Sequence, residues 1–234
     1  MTAIYQRELR AYFTSMTGYV FLAALVFFTG IYFMAYNLFN GFPRFSYALM
    51  SLTTILMFTI PILTMRSMAE DRRSRTDQLL LTAPLSLTGV VMGKYLAMVT
   101  VFFFPVFLAA FCPLIIAAHG ESFLASDYAS LLAFFLMGCT FLAIGMFLSA
   151  LTESQIIAAV GTFVLLLLLF LWDDLTGFLP GVLGEVLSAF SFTQAFYNFA
   201  LYDVFDLGGL VLYLSMAALF VFLTIQTLQK RRWS

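Results

Sequence analysis

Residues 65–95 read MRSMAEDRRSRTDQLLLTAPLSLTGVVMGKY. Six of the first twelve are charged: Arg66, Glu70, Asp71, Arg72, Arg73 and Arg75. This hydrophilic break separates two runs, 45–65 and 95–120, that contain no Asp, Glu, Lys or Arg. Working outward, four more such runs follow: 11–43, 128–152, 154–172 and 207–229. A spanning helix needs about 20 mostly apolar residues to cross about 30 Å of hydrocarbon, and each run is near or above that length. Six crossings return both chain ends to one side of the membrane.

The basic residues say which side. Of the eleven, Arg7, Arg10, Arg66, Arg72, Arg73, Arg75, Lys94, Lys230, Arg231 and Arg232 fall at the N-terminus, the break after span two, or the C-terminus; Arg44 alone lies elsewhere. Cytoplasmic loops carry the Lys/Arg excess, so both termini are expected in the cytoplasm. Seven acids, Glu121, Asp127, Asp173, Asp174, Glu185, Asp203 and Asp206, fall in the expected outer loops. The net charge of −1 therefore hides a dipole across the membrane and gives no sign of a nucleic-acid partner. Hydrophobic residues make up 63% of the 234 and charged ones 10%, against about 25% charged in soluble proteins. Cys112 and Cys139 lie inside expected spans without CxxC spacing, as small buried residues rather than a disulfide or metal pair. No cleavable signal is expected, because Arg7-Glu8-Leu9-Arg10 interrupts the start and the apolar run after it is too long.

Between these landmarks the elements follow from local chemistry. On a helical wheel Tyr5, Leu9, Tyr12 and Met16 fall on one side of residues 1–15, with Arg7 and Arg10 opposite. That suits an amphipathic helix in the headgroup layer, the alternative being an ordinary positive flank. Spans are expected at 17–39, 46–65, 95–118, 128–150, 156–172 and 208–228. Pro61 should kink the second, while Pro105 and Pro113 lie in the third. In the cytoplasmic segment 66–94, Thr76 is a plausible N-cap, Asp77 suits the helix dipole and Pro84 ends a helix of about two turns. A helix so short cannot bury Leu79, Leu80 and Leu81 itself; they need a partner or the lipid surface.

Segment 173–206 is too long and too apolar for a plain loop, and Glu185 splits it into runs too short to span. A re-entrant or interfacial helical pair, 175–184 and 186–202, divided near Pro180, Gly181 and Gly184, fits best. A spanning 186–202 would put Lys230-Arg231-Arg232 outside, against the charge rule. Phe178, Phe190, Phe192, Phe196, Tyr197, Phe199 and Tyr202 read either as an interfacial aromatic belt or as part of a lid. In the lid reading Glu185, Asp203 and Asp206 would meet a cationic cargo or an outer partner.

The chemistry of the chain is mostly exclusion. One histidine, His119, supports no catalytic constellation, and the GxSG setting of an intramembrane serine protease is missing. There is no Walker A motif, Gly-rich phosphate loop or zinc ligand set. The expected span cores are free of the ionisable residues that ion-coupled transport uses. A transporter built on this chain would draw its energy from another polypeptide.

Four passages carry a resemblance: Gly18-Tyr19-Val20 at the start of span one, Met65-Arg66-Ser67-Met68-Ala69-Glu70 at the end of span two, Thr76 to Pro84 followed by Gly93-Lys94-Tyr95-Leu96-Ala97, and Ser149-Ala150-Leu151-Thr152-Glu153-Ser154-Gln155-Ile156. With them the chain resembles the ABC-2 type permease family, most closely its gliding-motility-associated permease branch, over about residues 3–230. The passage 76–84 is similar to that family's G-T-x-E-L-L-L-T-x-P, with Arg75 in place of Gly and Gln78 in place of Glu. The resemblance implies an all-α integral membrane domain over residues 1–234. Its parts are six transmembrane helices, an N-terminal interfacial helix (1–15), a cytoplasmic coupling helix within 66–94, and an outer re-entrant pair within 173–206. It implies docking of the coupling helix on a cytoplasmic ABC ATPase dimer through Glu70, Arg72, Arg73, Thr76, Asp77, Gln78, Leu79, Leu80, Leu81, Thr82 and Pro84. The interfacial helix, with Tyr5, Arg7, Leu9, Arg10 and Tyr12, would also contact the ATPase. Two permease subunits would pair, as a homodimer or with a related chain, in a bacterial inner membrane. ATP and Mg would be bound by the ATPase, and this chain would hold no cofactor, metal or catalytic residue. The implied function is the permease subunit of an ABC transporter, an exporter. The alternative is a membrane scaffold or mechanotransmission unit that couples an ATPase to an extracytoplasmic partner.

Overall fold

The computed structural model describes residues 2–73, 86–120, 123–172, 176, 188 and 190–233. Among them every regular element is helical. Helix α1 (Thr2–Thr14) is followed at Ser15 by α2 (Met16–Tyr32), which winds on as a π-helix through Phe33–Phe39. Ser15 caps α2 by accepting from Gly18 N at 3.4 Å. The elbow is tight: a Cβ on Gly18 would come within 2.2 Å of the Tyr12 carbonyl oxygen. Met16 lies beyond the elbow and is 81% exposed. It therefore does not share the face of Tyr5, Leu9 and Tyr12 that an unbroken wheel assigned it.

Helix α3 (Ser46–Thr64) runs through Pro61 without interruption and leads to α4 (Ala69–Arg73). The expected third span is divided into α5 (Leu87–Ala109) and α6 (Cys112–His119). The break falls at Pro113 rather than Pro105. Proline suits the first helical positions, where its missing N–H has no partner to lose. Then come α7 (Leu124–Leu151), α8 (Gln155–Phe170), α9 (Phe192–Ala200) and α10 (Leu207–Trp233). Five helical stretches are long and apolar enough to cross a membrane: Met16–Phe39, Ser46–Arg73, Leu87–His119, Leu124–Leu151 and Leu207–Lys230. Where the fifth span is expected the chain forms α8, an apolar helix shorter than those five, whose 16 residues rise about 24 Å at 1.5 Å each. In the expected 186–202 segment Ser191 is extended and caps α9 through Gln194 N at 2.9 Å. The continuous helix that a crossing there would need is therefore interrupted.

Helix α7 is the keel. It packs on α3, α5, α8, α9 and α10, and 72% of its apolar window is buried, against 22% for α2 and 28% for α10. Lipid tails are as apolar as leucine, so helices in a bilayer associate through close packing and internal hydrogen bonds. Both are present. A Cβ on Gly138 would sit 2.2 Å from the Phe102 ring, and one on Gly145 2.4 Å from Thr64 Oγ1. Those glycines let α5 and α3 lie directly against α7.

The hydrogen bonds sit at the helix ends, where the first N–H groups have no intrahelical partner. At one end of α7, Asp127 accepts from Phe45 N at 2.9 Å and Ser46 N at 3.2 Å, which open α3. At the other, Ser149 Oγ accepts from Met68 N and Ala69 N, both at 3.1 Å, which open α4. Asp127 was expected in an outer loop; it is 1% exposed because α7 begins at Leu124 and draws it into the first turn. Contacts of this kind also fix direction: α3, α7 and α10 run from one pole to the other, and α2, α5 and α8 run back.

Gly145→Leu is expected to wedge α3 off α7, an overpacking cost of order 1–3 kcal/mol or more. Thermal unfolding in detergent should show a clearly lowered midpoint, while Gly161→Leu, at a glycine with open space around its Cβ position, should not.

Candidate functional site

The basic pole gathers residues from α1, the α3–α4 turn, α4, α5 and the end of α7. Its centre is Lys94, 2% exposed within the apolar helix α5. Its ammonium donates to the Ser67 carbonyl at 2.5 Å and lies 2.6 Å from Asp71 Oδ2 and 3.3 Å from Glu8 Oε1. A buried ammonium is tolerated only when paired and hydrogen-bonded, and here three elements supply the partners. Around it, Arg66 forks onto Glu70 at 2.6 and 2.9 Å and reaches Thr17 Oγ1 at 3.2 Å. Arg72 donates to the Ala150 carbonyl and to Glu153, both at 3.2 Å, tying α4 to the end of α7.

Helix α1 lies against α5 and α2. Tyr5 shares a 3.0 Å hydrogen bond with Thr100 Oγ1, Phe13 stacks edge-on against Phe104, and Leu9 packs on the core. Tyr12 is buried with its hydroxyl 3.4 Å from the Leu63 carbonyl, and that burial raises its pKa above the ordinary tyrosine range. Arg7, paired with Glu8 at 2.6 Å, and Arg10 are on the exposed face. The tyrosines of α1 thus meet other helices, and its arginines face outward. A cavity of about 40 Å³ between α1 and the α3–α4 turn is walled by Glu8, Tyr12, Arg66, Ser67 and Glu70, among others.

Of the expected coupling residues, Glu70 and Arg72 belong to this knot, and Arg73 ends α4 on an exposed face. Thr76, Asp77, Gln78, Leu79, Leu80, Leu81, Thr82 and Pro84 lie outside the described residues, as do Pro180, Gly181, Gly184 and Glu185. The sequence reading missed the role of Lys94 and its two acids. The available signal was a lone cation within a helix otherwise apolar from Leu87 to Ala109.

At the opposite pole, Asp203 pairs with Arg44 at 2.7 Å and accepts a short hydrogen bond from Ser126. Asp206 accepts from Asn198 Nδ2 at 2.8 Å and from Gly209 N at 3.0 Å, in the first turn of α10. The Asn198 hydrogen bond, aided by the backbone donors of Gly209 and Gly208, holds the Asp206 carboxyl below the usual range. Of the three expected lid acids, the two that are described, Asp203 and Asp206, are therefore engaged within the chain. Of the expected aromatic belt, Phe192, Phe196 and Phe199 are core residues at 1–2% exposure, while Phe190 and Tyr202 are exposed. The Phe192 carbonyl accepts from Tyr213 at 2.7 Å and the Phe199 carbonyl from Ser130 at 3.0 Å, so α9 is bonded into the bundle at both ends.

Among the described residues no cluster of His, Cys, Asp and Glu could hold a metal ion. No curated protein matches the chain. The family described as ABC-2 family transporter protein matches residues 32–225, from the end of α2 through most of α10. The chain therefore belongs to the ABC-2 transporter family, as a multi-pass membrane permease of the kind that works with an ABC ATPase.

Proposed function

We propose that this chain is the permease subunit of an ABC exporter, with six crossings and both termini in the cytoplasm of a bacterial inner membrane. Energy comes from a separate ATPase dimer that binds ATP and Mg, and this chain hydrolyses no ATP alone. Two permease subunits pair, and an extracytoplasmic auxiliary protein is a candidate further partner. Segment 76–84 is the coupling helix, with Leu79, Leu80 and Leu81 in a groove of the ATPase.

The observation that supports this reading most is the bracing of that segment's two flanks. Arg72 anchors α4 to the end of α7, and Lys94 locks the start of α5 to α4 and α1. A push on the segment between them would be carried into the bundle rather than absorbed by loose connections. The basic pole, which is cytoplasmic by the charge rule, is also where an ATPase would dock.

Replacing Leu79 and Leu80 together with Asp should abolish co-purification of the ABC ATPase that the unaltered chain captures from its native cells, while leaving thermal unfolding of the spans unchanged. Retention of the ATPase by that double variant would overturn the coupling assignment. Lys94→Met leaves Glu8 and Asp71 facing a buried site without their cation, and breaking a buried pair this way costs about 3–5 kcal/mol. The thermal midpoint should fall, and adding Glu8→Gln and Asp71→Asn should recover part of it. In a background without Cys112 and Cys139, Ala125→Cys should react with an impermeant maleimide on intact cells, and Lys230→Cys only after permeabilisation; the reverse pattern would invert the topology.

A further inference from the structure

Among the described residues Arg44 is the one Lys or Arg away from the basic pole, and the permease reading gives it no task. It runs from the loop after α2 to touch two walls of a cleft. Its guanidinium lies 4.6 Å over the Phe123 ring and 2.7 Å from Asp203. The cleft holds about 670 Å³ between the first turns of α7 and the loop joining α9 to α10. That is within the roughly 300–1,000 Å³ of small-molecule sites. Its apolar walls include Phe123, Leu124, Phe199, Val204 and Phe205, and its polar edge is Ser126 with Asp203. Val204 and Phe205 are more than half exposed.

The polar edge retains binding capacity. The guanidinium has five N–H donors and, among the described residues, Asp203 is its one ion-pair partner. Asp203 has about four acceptor positions, of which Ser126 and Arg44 take two. The rim therefore offers a cation and an anion side by side, at the end of an apolar trough, on a pole that meets a membrane surface. A head group that matches both carries a phosphate and an ammonium with N–H donors.

We propose that this cleft binds a zwitterionic membrane phospholipid with a primary amine. Its acyl chain lies along Phe123, Val204 and Phe205, its phosphate meets Arg44, and its ammonium meets Asp203. A trimethylated amine has no N–H to donate, and a glycerol head has no cation, so both bind less well. The site does not depend on the ATPase partner, and its test is read without one.

The test uses the full chain with Phe205→Trp as sole tryptophan, Trp172 and Trp233 being replaced by Phe. It is reconstituted in vesicles of unlabelled phosphatidylcholine. Brominated-chain phosphatidylethanolamine, phosphatidylcholine or phosphatidylglycerol is added at a few mole per cent. Phosphatidylethanolamine should quench the tryptophan several-fold more than the other two, and saturably. Arg44→Gln with Asp203→Asn should erase that preference. Ala129→Phe, which fills the trough and leaves the ion pair intact, should remove the saturable phase; it decides the matter if the first pair of changes impairs folding. Equal and linear quenching by all three lipids, a preference for another head group, or a phosphatidylethanolamine preference that survives Ala129→Phe would overturn the proposal.

Discussion

The first N–H groups of a helix need acceptors, and inside a membrane-embedded bundle water is scarce. The two ends of α7 answer that need for two other helices. Asp127 takes the donors that open α3, and Ser149 takes those that open α4. An unsatisfied backbone group in hydrocarbon costs several kcal/mol, so these contacts fix where α3 begins and where the chain turns into α4. With both ends pinned, Gly138 and Gly145 bring α5 and α3 into contact along the length between them. The other helices pack on that assembly, and α9 fills the space left beside it.

The two poles solve an electrostatic problem in opposite ways. At the basic pole a surplus of cations is distributed over acids from distant parts of the sequence: Glu8 and Asp71 serve Lys94, Glu70 serves Arg66, and Glu153 serves Arg72. The exposed pairs contribute little individually. Lys94 is different because it is buried, and its ties connect α5 to both α4 and α1. At the other pole acids are in surplus and two are absorbed locally, Asp203 by Arg44 and Ser126, Asp206 by Asn198 and the start of α10. Charge that the linear sequence distributes by topology is thus paired in three dimensions before it meets any partner.

The sequence by itself determined the membrane class, the number and rough extent of the apolar runs, and the segregation of basic from acidic residues. These depend on composition over some twenty residues, which a bilayer reads almost directly. Tertiary structure decided the rest. Pro113 rather than Pro105 divides the third run, since a proline is cheap where a helix starts and neighbours can accommodate one within it. Asp127, an ordinary loop acid by position, became a buried acceptor because α3 presents its donors there. Lys94 looked like one more topogenic cation, and its partners lie in α1 and α4, beyond the reach of local pattern. Phe192, Phe196 and Phe199 read as an interfacial belt or part of a lid and are buried in the core. Aromatic composition is the same in both settings, and only the packing of α9 against α7 distinguishes them.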